Sequence, residues 1–275
     1  MRKWILVFVI LFLCACQRNT PKFNGYIDAD LTYLSSDKSG RLEYLFVKRG
    51  DFVKAAQPLF KLEQFSEKAD VKISDFDQKN LSAQRQQVLD QLHYAEINYL
   101  RTKKMLQDRA ASQNTLDVAK KDLDVLKSQL AGIDFQIKGS LVNTAVKTWW
   151  VSRKEGIANE EGLVFDTYFT QNEYIQAGQP VLALIIKQNI KVIFFVPEPL
   201  LSKIKLNSQV KIMFDGSPSI LGKINYISNI AQYTPPIIYS REDRQKLVFR
   251  VEACVNVANL RDLHLGQPVT VEVLS

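Results

Sequence analysis

Between residues 116 and 137 apolar side chains return at alternating intervals of three and four: Leu116, Ala119, Leu123, Leu126, Leu130, Ile133 and Ile137. Such a seam is the signature of a helix packed along its length against another. An earlier stretch keeps heptad register through Leu81, Val88, Leu92, Ala95, Tyr99 and Leu106, with Arg85 and Thr102 as polar interruptions. Between the two, Asp108–Thr115 breaks the pattern without proline or glycine. That predicts a tight reversal, with Ser112 or Thr115 capping the second helix. The pattern thus predicts an antiparallel coiled-coil hairpin over 64–142. Arms of about 40 residues reach roughly 60 Å at 1.5 Å per residue. Gly132 is its weak point, costing about 1 kcal/mol relative to alanine.

The flanks of the hairpin have a different period, and they repeat one another. Gly40-Arg41-Leu42 opens a stretch ending Gly50-Asp51-Phe52-Val53-Lys54-Ala55-Ala56-Gln57-Pro58-Leu59-Phe60-Lys61-Leu62. Gly162-Leu163-Val164 opens another ending Asn172-Glu173-Tyr174-Ile175-Gln176-Ala177-Gly178-Gln179-Pro180-Val181-Leu182-Ala183-Leu184, at a constant offset of 122 residues. Acid meets acid, apolar meets apolar, and Gln-Pro meets Gln-Pro. Each copy reads as short strands joined by turns, with Gly40, Gly50, Gly162, Asn172 and Gly178 as turn positions; glycine and asparagine tolerate positive φ. One copy is too short to bury a core, so the two are expected to pack on each other.

From about residue 190 the chain alternates again. Strands are predicted in Lys191–Val196, Val210–Phe214, Gly222–Ile230, Leu247–Ala253 and Val269–Val273, with Ile27, Ala29, Leu31 and Tyr33 supplying a further one. Several short half-buried strands predict a small antiparallel barrel.

The N-terminus sets the compartment. Arg2 and Lys3 precede an apolar run, Trp4–Ala15, too short for a permanent membrane span, and the chain turns polar at Gln17. This is signal-peptide architecture. Leu13-Cys14-Ala15-Cys16 resembles a bacterial lipobox, which implies lipidation at Cys16; an ordinary signal with a coincidental cysteine is the alternative. Each buried acyl methylene contributes roughly 0.8 kcal/mol to such an anchor. After cleavage and acylation of Cys16 only Cys254 remains as a free thiol, so the mature chain is expected to form no internal disulfide. The net charge of +7 is spread over the chain and reads as ordinary surface charge, with no indication of nucleic-acid binding.

Catalytic chemistry has little to draw on. His93 lies in the coiled coil and His264 in a loop, and neither belongs to a metal-spaced or nucleophile–base cluster. No glycine-rich phosphate loop is present, so ATP hydrolysis would come from a partner. Trp149-Trp150 reads as a strand-borne aromatic pair packed at a domain junction. No catalytic residue, metal or cofactor is expected.

The duplicated strands resemble the two halves of a lipoyl/biotinyl-carrier (barrel-sandwich) domain. A carrier has a short lysine-bearing hairpin between its halves, whereas here nearly eighty helical residues intervene. That arrangement resembles the HlyD-like membrane fusion proteins. Phe195-Val196-Pro197-Glu198, Tyr233-Thr234-Pro235-Pro236-Ile237-Ile238-Tyr239-Ser240 and Leu247-Val248-Phe249-Arg250-Val251-Glu252 are similar to the adaptors of ABC-type exporters. At the hairpin tip, Arg101, Met105 and Ser112 follow the spacing by which adaptors dock on TolC-type outer-membrane channels, with Met105 where leucine is usual; Asp117 and Ala119 follow.

The resemblance implies an α+β, elongated, multidomain fold: a lipoyl-like barrel-sandwich domain split by an antiparallel α-helical coiled-coil hairpin, plus a small antiparallel β-barrel. Its parts would be a signal at 1–16 with acylated Cys16, a linker and strand at 17–39, lipoyl-like halves at 40–63 and 143–188, the hairpin at 64–142, and the barrel at 189–275. It further implies a non-enzymatic periplasmic adaptor in a Gram-negative bacterium. Partners would be an inner-membrane ABC-type exporter, a TolC-type channel, and further copies in a ring, commonly a hexamer. The chain ends at the last barrel strand, so the membrane-proximal domain of many RND adaptors is not expected, which disfavours an RND-type partner. Gln17 is not the aspartate usually read as inner-membrane retention; anchoring there is expected from the architecture. Hinges are expected near 63–66, 142–148 and 186–190. A structural lipoprotein without a transporter and a carrier domain remain as alternatives.

Overall fold

The computed structural model describes residues 21–233, 247–256, 260 and 263–274. The expected signal, Cys16 and the Thr234–Ser240 part of the adaptor-like motif lie outside the described residues.

Two long helices dominate. Helix α1 runs Phe65–Gln107 and α2 runs Gln113–Ser152, packed antiparallel along their length. On α1 the less exposed positions step through Val71, Ser74, Gln78, Leu81, Arg85, Val88, Leu92, Ala95, Tyr99, Thr102 and Leu106, alternating three and four throughout. On α2 the seam continues past Ile137 through Ser140, Thr144 and Lys147. The hairpin therefore extends to Ser152 rather than 142, and residues 142–148 are mid-helix rather than a hinge. The reason is a polar end to the seam: Ser74 and Thr144 share a hydrogen bond at 2.8 Å across the helices, replacing apolar residues there. Arg85 likewise pairs with Asp134 at 2.6 Å.

The flanking strands form two four-stranded sheets. One has the order β2(Thr32–Ser35), β9(Pro180–Ile186), β7(Gly162–Thr167), β4(Phe52–Val53). The other has β6(Glu155–Ile157), β5(Pro58–Leu62), β3(Gly40–Leu45), β8(Tyr174–Ile175). The 122-residue shift maps the second sheet onto the first strand by strand, so each sheet mixes strands from both copies. The pairing is reciprocal at single bonds: Leu42 N–H donates to Glu173 O and Val164 N–H to Asp51 O, both at 2.8 Å. The repeat also reaches further back than Gly40, since β2 and β6 correspond. Leu42, Leu59, Leu62, Ile175, Val181 and Leu182 lie in the core between the sheets.

The six remaining strands close a barrel in the order β1(Lys22–Ala29), β10(Ile190–Pro197), β13(Leu247–Val255), β12(Ser217–Tyr233), β11(Gln209–Phe214), β14(Pro268–Val273). Ile27 and Ala29 point into its core, as their alternation implied, whereas Tyr33 lies on β2 in the other domain. The 17–39 stretch is thus split between barrel and sandwich. Phe52, Leu163 and Ile185 of the sandwich pack against the barrel core and give the junction an apolar floor. Cys254 is free and exposed on the outer barrel face. A four-residue helix, α3 (Glu198–Leu201), follows Pro197.

Among the described residues no helix is long and apolar enough to cross a membrane.

Candidate functional site

The apex of the hairpin is built from helix ends. Helix α1 closes on Asp108, after which Arg109 adopts φ 57°. The Arg109 amide donates to Leu106 O at 3.0 Å and the Ala110 amide to Met105 O at 2.7 Å. This pair of bonds is the Schellman closure, whose left-handed residue is usually glycine. Here it is arginine. Two residues on, Ser112 in extended conformation accepts from the Thr115 amide through Oγ at 3.2 Å and opens α2. Of the two capping residues the sequence offered, Ser112 is the cap.

Arg101 and Met105 sit one turn apart on α1, both exposed, and Ser112 is exposed at the other side of the reversal. Asp117 accepts from Gln113 Nε2 at 2.9 Å. Ala119 is buried in the seam, so it packs the hairpin and presents no surface. Arg109 carried no signal of its own in the sequence, because a reversal without glycine does not reveal which residue takes positive φ.

The base of the hairpin is held by a second polar cluster that the sequence did not disclose. Lys154 is buried; its Nζ donates to Glu63 O at 2.9 Å and pairs with Glu67 at 2.7 Å. Burial pushes the Glu67 carboxyl up, but the bonded Lys154 ammonium, its own backbone amide and Ser66 together hold it below the ordinary glutamate value. Gln64, also buried, donates from Nε2 to Val151 O and to Glu155 Oε1, each at 3.0 Å. The expected hinge at 63–66 is thus tied down on both sides. Trp149 and Trp150 lie on the last turn of α2, not on a strand, because the helix continues to Ser152. Their rings are 4.5 Å apart, Lys38 Nζ lies 4.1 Å over Trp150, and Arg153 pairs with Asp37, so the pair grips the β2–β3 loop.

Among the five turn positions, Gly50 (φ 86°), Asn172 (φ 75°) and Gly178 (φ 80°) are left-handed as their residue types implied. Gly40 and Gly162 are instead the first residues of β3 and β7. At Gly162 the constraint is space, since a Cβ would lie 2.7 Å from Ile185 O. Ala56, with φ 62°, is the unforeseen counterpart of Gly178.

Where barrel meets sandwich, Asp30 N–H donates to Asn189 O at 3.1 Å, and Asn189 Nδ2 returns a bond to Asp30 O at 3.0 Å. Lys191 pairs with Asp30 at 2.6 Å and with Glu252 at 3.4 Å. Burial lowers the Lys191 ammonium pKa, but the two carboxylates outweigh it and the group ends above its ordinary value. Among the described residues, no three His, Cys, Asp or Glu side chains group as metal ligands.

No protein-family model matches the chain. A UPF0194 membrane protein of Acidithiobacillus ferridurans is 26% identical to it, covering 92% of this chain and 87% of its own length. The UPF0194 membrane protein YbhG of Salmonella arizonae is 24% identical, covering 90% of this chain and 87% of its own. Among solved structures, MacA from Actinobacillus actinomycetemcomitans superposes with a TM-score of 0.74 at 17% identity, over 93% of this chain and 78% of that one. The membrane fusion protein Spr0693 from Streptococcus pneumoniae R6 gives a TM-score of 0.59 at 17% identity, over 93% of this chain and 99% of that one. A MacA–MexA chimera containing the Pseudomonas aeruginosa MexA α-hairpin domain gives 0.54 at 14% identity, over 92% and 81%. The chain therefore has the fold of the membrane fusion proteins. Its architecture is a lipoyl-like domain split by a helical hairpin, with a β-barrel beside it.

Proposed function

We propose that the chain is a non-enzymatic periplasmic adaptor, lipid-anchored through Cys16, that links an inner-membrane ABC-type transporter to a TolC-type outer-membrane channel. The observation that carries this reading is the hairpin itself. Helix α1 has 43 residues, a rod of about 65 Å on a small two-domain body, ending in a capped, exposed reversal. A rod of that length does no work in catalysis or in presenting a carrier lysine, but it spans distance and delivers its apex to a partner. The split lipoyl-like domain supports the same reading, since the place of a carrier's lysine hairpin is taken by α1 and α2.

The apex contacts would come from Arg101, Met105 and Ser112. Met105 is a flexible thioether able to fill a groove shaped for leucine. The ABC assignment rests on the similarity of Phe195–Glu198 and Leu247–Glu252 to adaptors of such exporters. Assembly as a ring, hexameric by resemblance, would enclose the conduit.

The test is site-directed capture in living cells. A photo-crosslinker on Ser112→Cys, in a Cys254→Ser background, is expected to trap an outer-membrane channel protein, and Arg101→Asp is expected to abolish the product. Trapping only neighbouring copies of the chain, at normal expression, would replace the adaptor by a structural lipoprotein.

A further inference from the structure

We propose that the hairpin apex recognises an acidic protein surface on its outer-membrane partner, by charge as well as by shape. This rests on the docking reading above and names the chemistry of the surface met there.

Charge is distributed unevenly along the rod. Between residues 101 and 121 stand six cations, Arg101, Lys103, Lys104, Arg109, Lys120 and Lys121, against the two carboxylates Asp108 and Asp117. The remainder of the two helices, 65–100 and 122–152, has seven cations against nine carboxylates. A solvated coiled-coil surface would mix the signs along its length. Here the shaft is slightly acidic and the end is strongly basic.

The apex cations are also uncommitted. Arg85 on the shaft and Lys154 at the base hold carboxylates at 2.6 and 2.7 Å, whereas none of the six apex cations has an ion pair among the described residues. Helix dipoles account for only part of the excess. Lys104 in the last turn of α1 complements that helix's negative end, but α2 begins here with no acid in its first turn and with Lys120 and Lys121 soon after. The positive end of this 40-residue helix thus has a serine cap but no acid in its first turn.

Arg109 is the third observation. The Schellman position favours glycine, yet the apex holds a guanidinium there at φ 57°. Local folding gains nothing from that choice, while an acidic partner would.

Leu100 (62% exposed), Met105 (42%) and Val118 (50%) lie among these charges. Apolar anchors ringed by cations suit a protein interface. A membrane surface is the poorer fit, because the reversal at 108–112 offers only two alanines as apolar contact.

The experiment uses the full lipidated chain in cells, with the photo-crosslinker at Ser112→Cys in the Cys254→Ser background. Three versions are compared: the parent, an apex reversal (Lys103→Glu, Lys104→Glu, Arg109→Glu) and an equal reversal on the shaft (Lys68→Glu, Lys72→Glu, Lys79→Glu). Thermal melting checks that all three fold, and glutamine at the three apex positions supplies a milder version. The expected result is capture of a channel protein by the parent and the shaft variant, about tenfold less by the apex reversal, and an intermediate loss with glutamine. For the purified pair, salt between low and high ionic strength should weaken the parent complex and leave the apex reversal little changed. Equal capture by parent and apex reversal would overturn charge recognition while leaving docking intact. Capture of lipid, or of no channel by the parent, would overturn the docking reading and this proposal with it.

Discussion

At the residue scale, the two sandwich turns offer an internal control. Ala56 and Gly178 occupy equivalent places, both left-handed, yet only one is glycine. An L-residue in that region is disfavoured by roughly 1 kcal/mol. Ala56→Gly is therefore expected to stabilise the domain by up to about 1 kcal/mol, and Gly178→Ala to destabilise it by about as much. Urea denaturation read by circular dichroism would check both. Lys154 offers a larger effect. Replacing it with methionine leaves the partly buried Glu67 carboxylate without its ammonium partner, and losing such a charged hydrogen bond costs about 2 kcal/mol. Because Glu67 is held below its ordinary value in the folded chain, its contribution is present above the unfolded value and disappears as pH falls through the folded one. Parent and Glu67→Gln proteins should thus differ in melting temperature at neutral pH and converge on the acid side of the ordinary glutamate range. A gap persisting unchanged at the lowest pH would contradict the assignment.

At the element scale, the hairpin was the most legible part of the chain and its ends were the least. Leucine-rich heptads announce a seam wherever the seam is apolar. They fall silent where Ser74 bonds Thr144, because a satisfied polar pair leaves no hydrophobic trace, and so the last ten residues of α2 read as sandwich. The sandwich turns were legible at Gly50, Asn172 and Gly178 through residue type, and misread at Gly40 and Gly162, which open strands; at Gly162 glycine answers crowding rather than φ. The apex motif could be read from spacing, but Arg109 and the Lys154 cluster depend on three-dimensional proximity that no local pattern encodes. Gly132 remains as expected inside a continuous helix, with open space around its missing Cβ. Gly132→Ala is expected to raise hairpin stability by about 1 kcal/mol, read as a shift in its thermal transition. An unchanged transition would mean that the hairpin does not limit unfolding.

At the scale of the whole molecule, the base of the hairpin is tied to the sandwich by Lys154, Gln64 and the tryptophan pair. The barrel meets the sandwich through two strands' worth of backbone and an apolar floor. The polar bonds of Asp30 and Asn189 are exposed whereas those of Gln64 and Lys154 are buried, so bending is expected at this joint, which includes the predicted 186–190 hinge, rather than at the hairpin. A cysteine pair at Asp30 and Asn189, in a Cys254→Ser background, is expected to stop export on oxidation without preventing assembly, and dithiothreitol should restore it. Full export through the oxidised protein would reject coupling at this joint.

The exchange of strands between the two sheets has a consequence for how the chain is made. Strands β2 to β5 are made well before β6 to β9, and neither set can complete a sheet alone. For that interval an apolar half-domain waits in solution, at risk of pairing with another chain's. The helices between them are local structures that form quickly, and zipping α2 onto α1 brings the two sets of strands face to face. The rod that reaches outward in the finished protein is, during synthesis, the splint that lets its own foundation set.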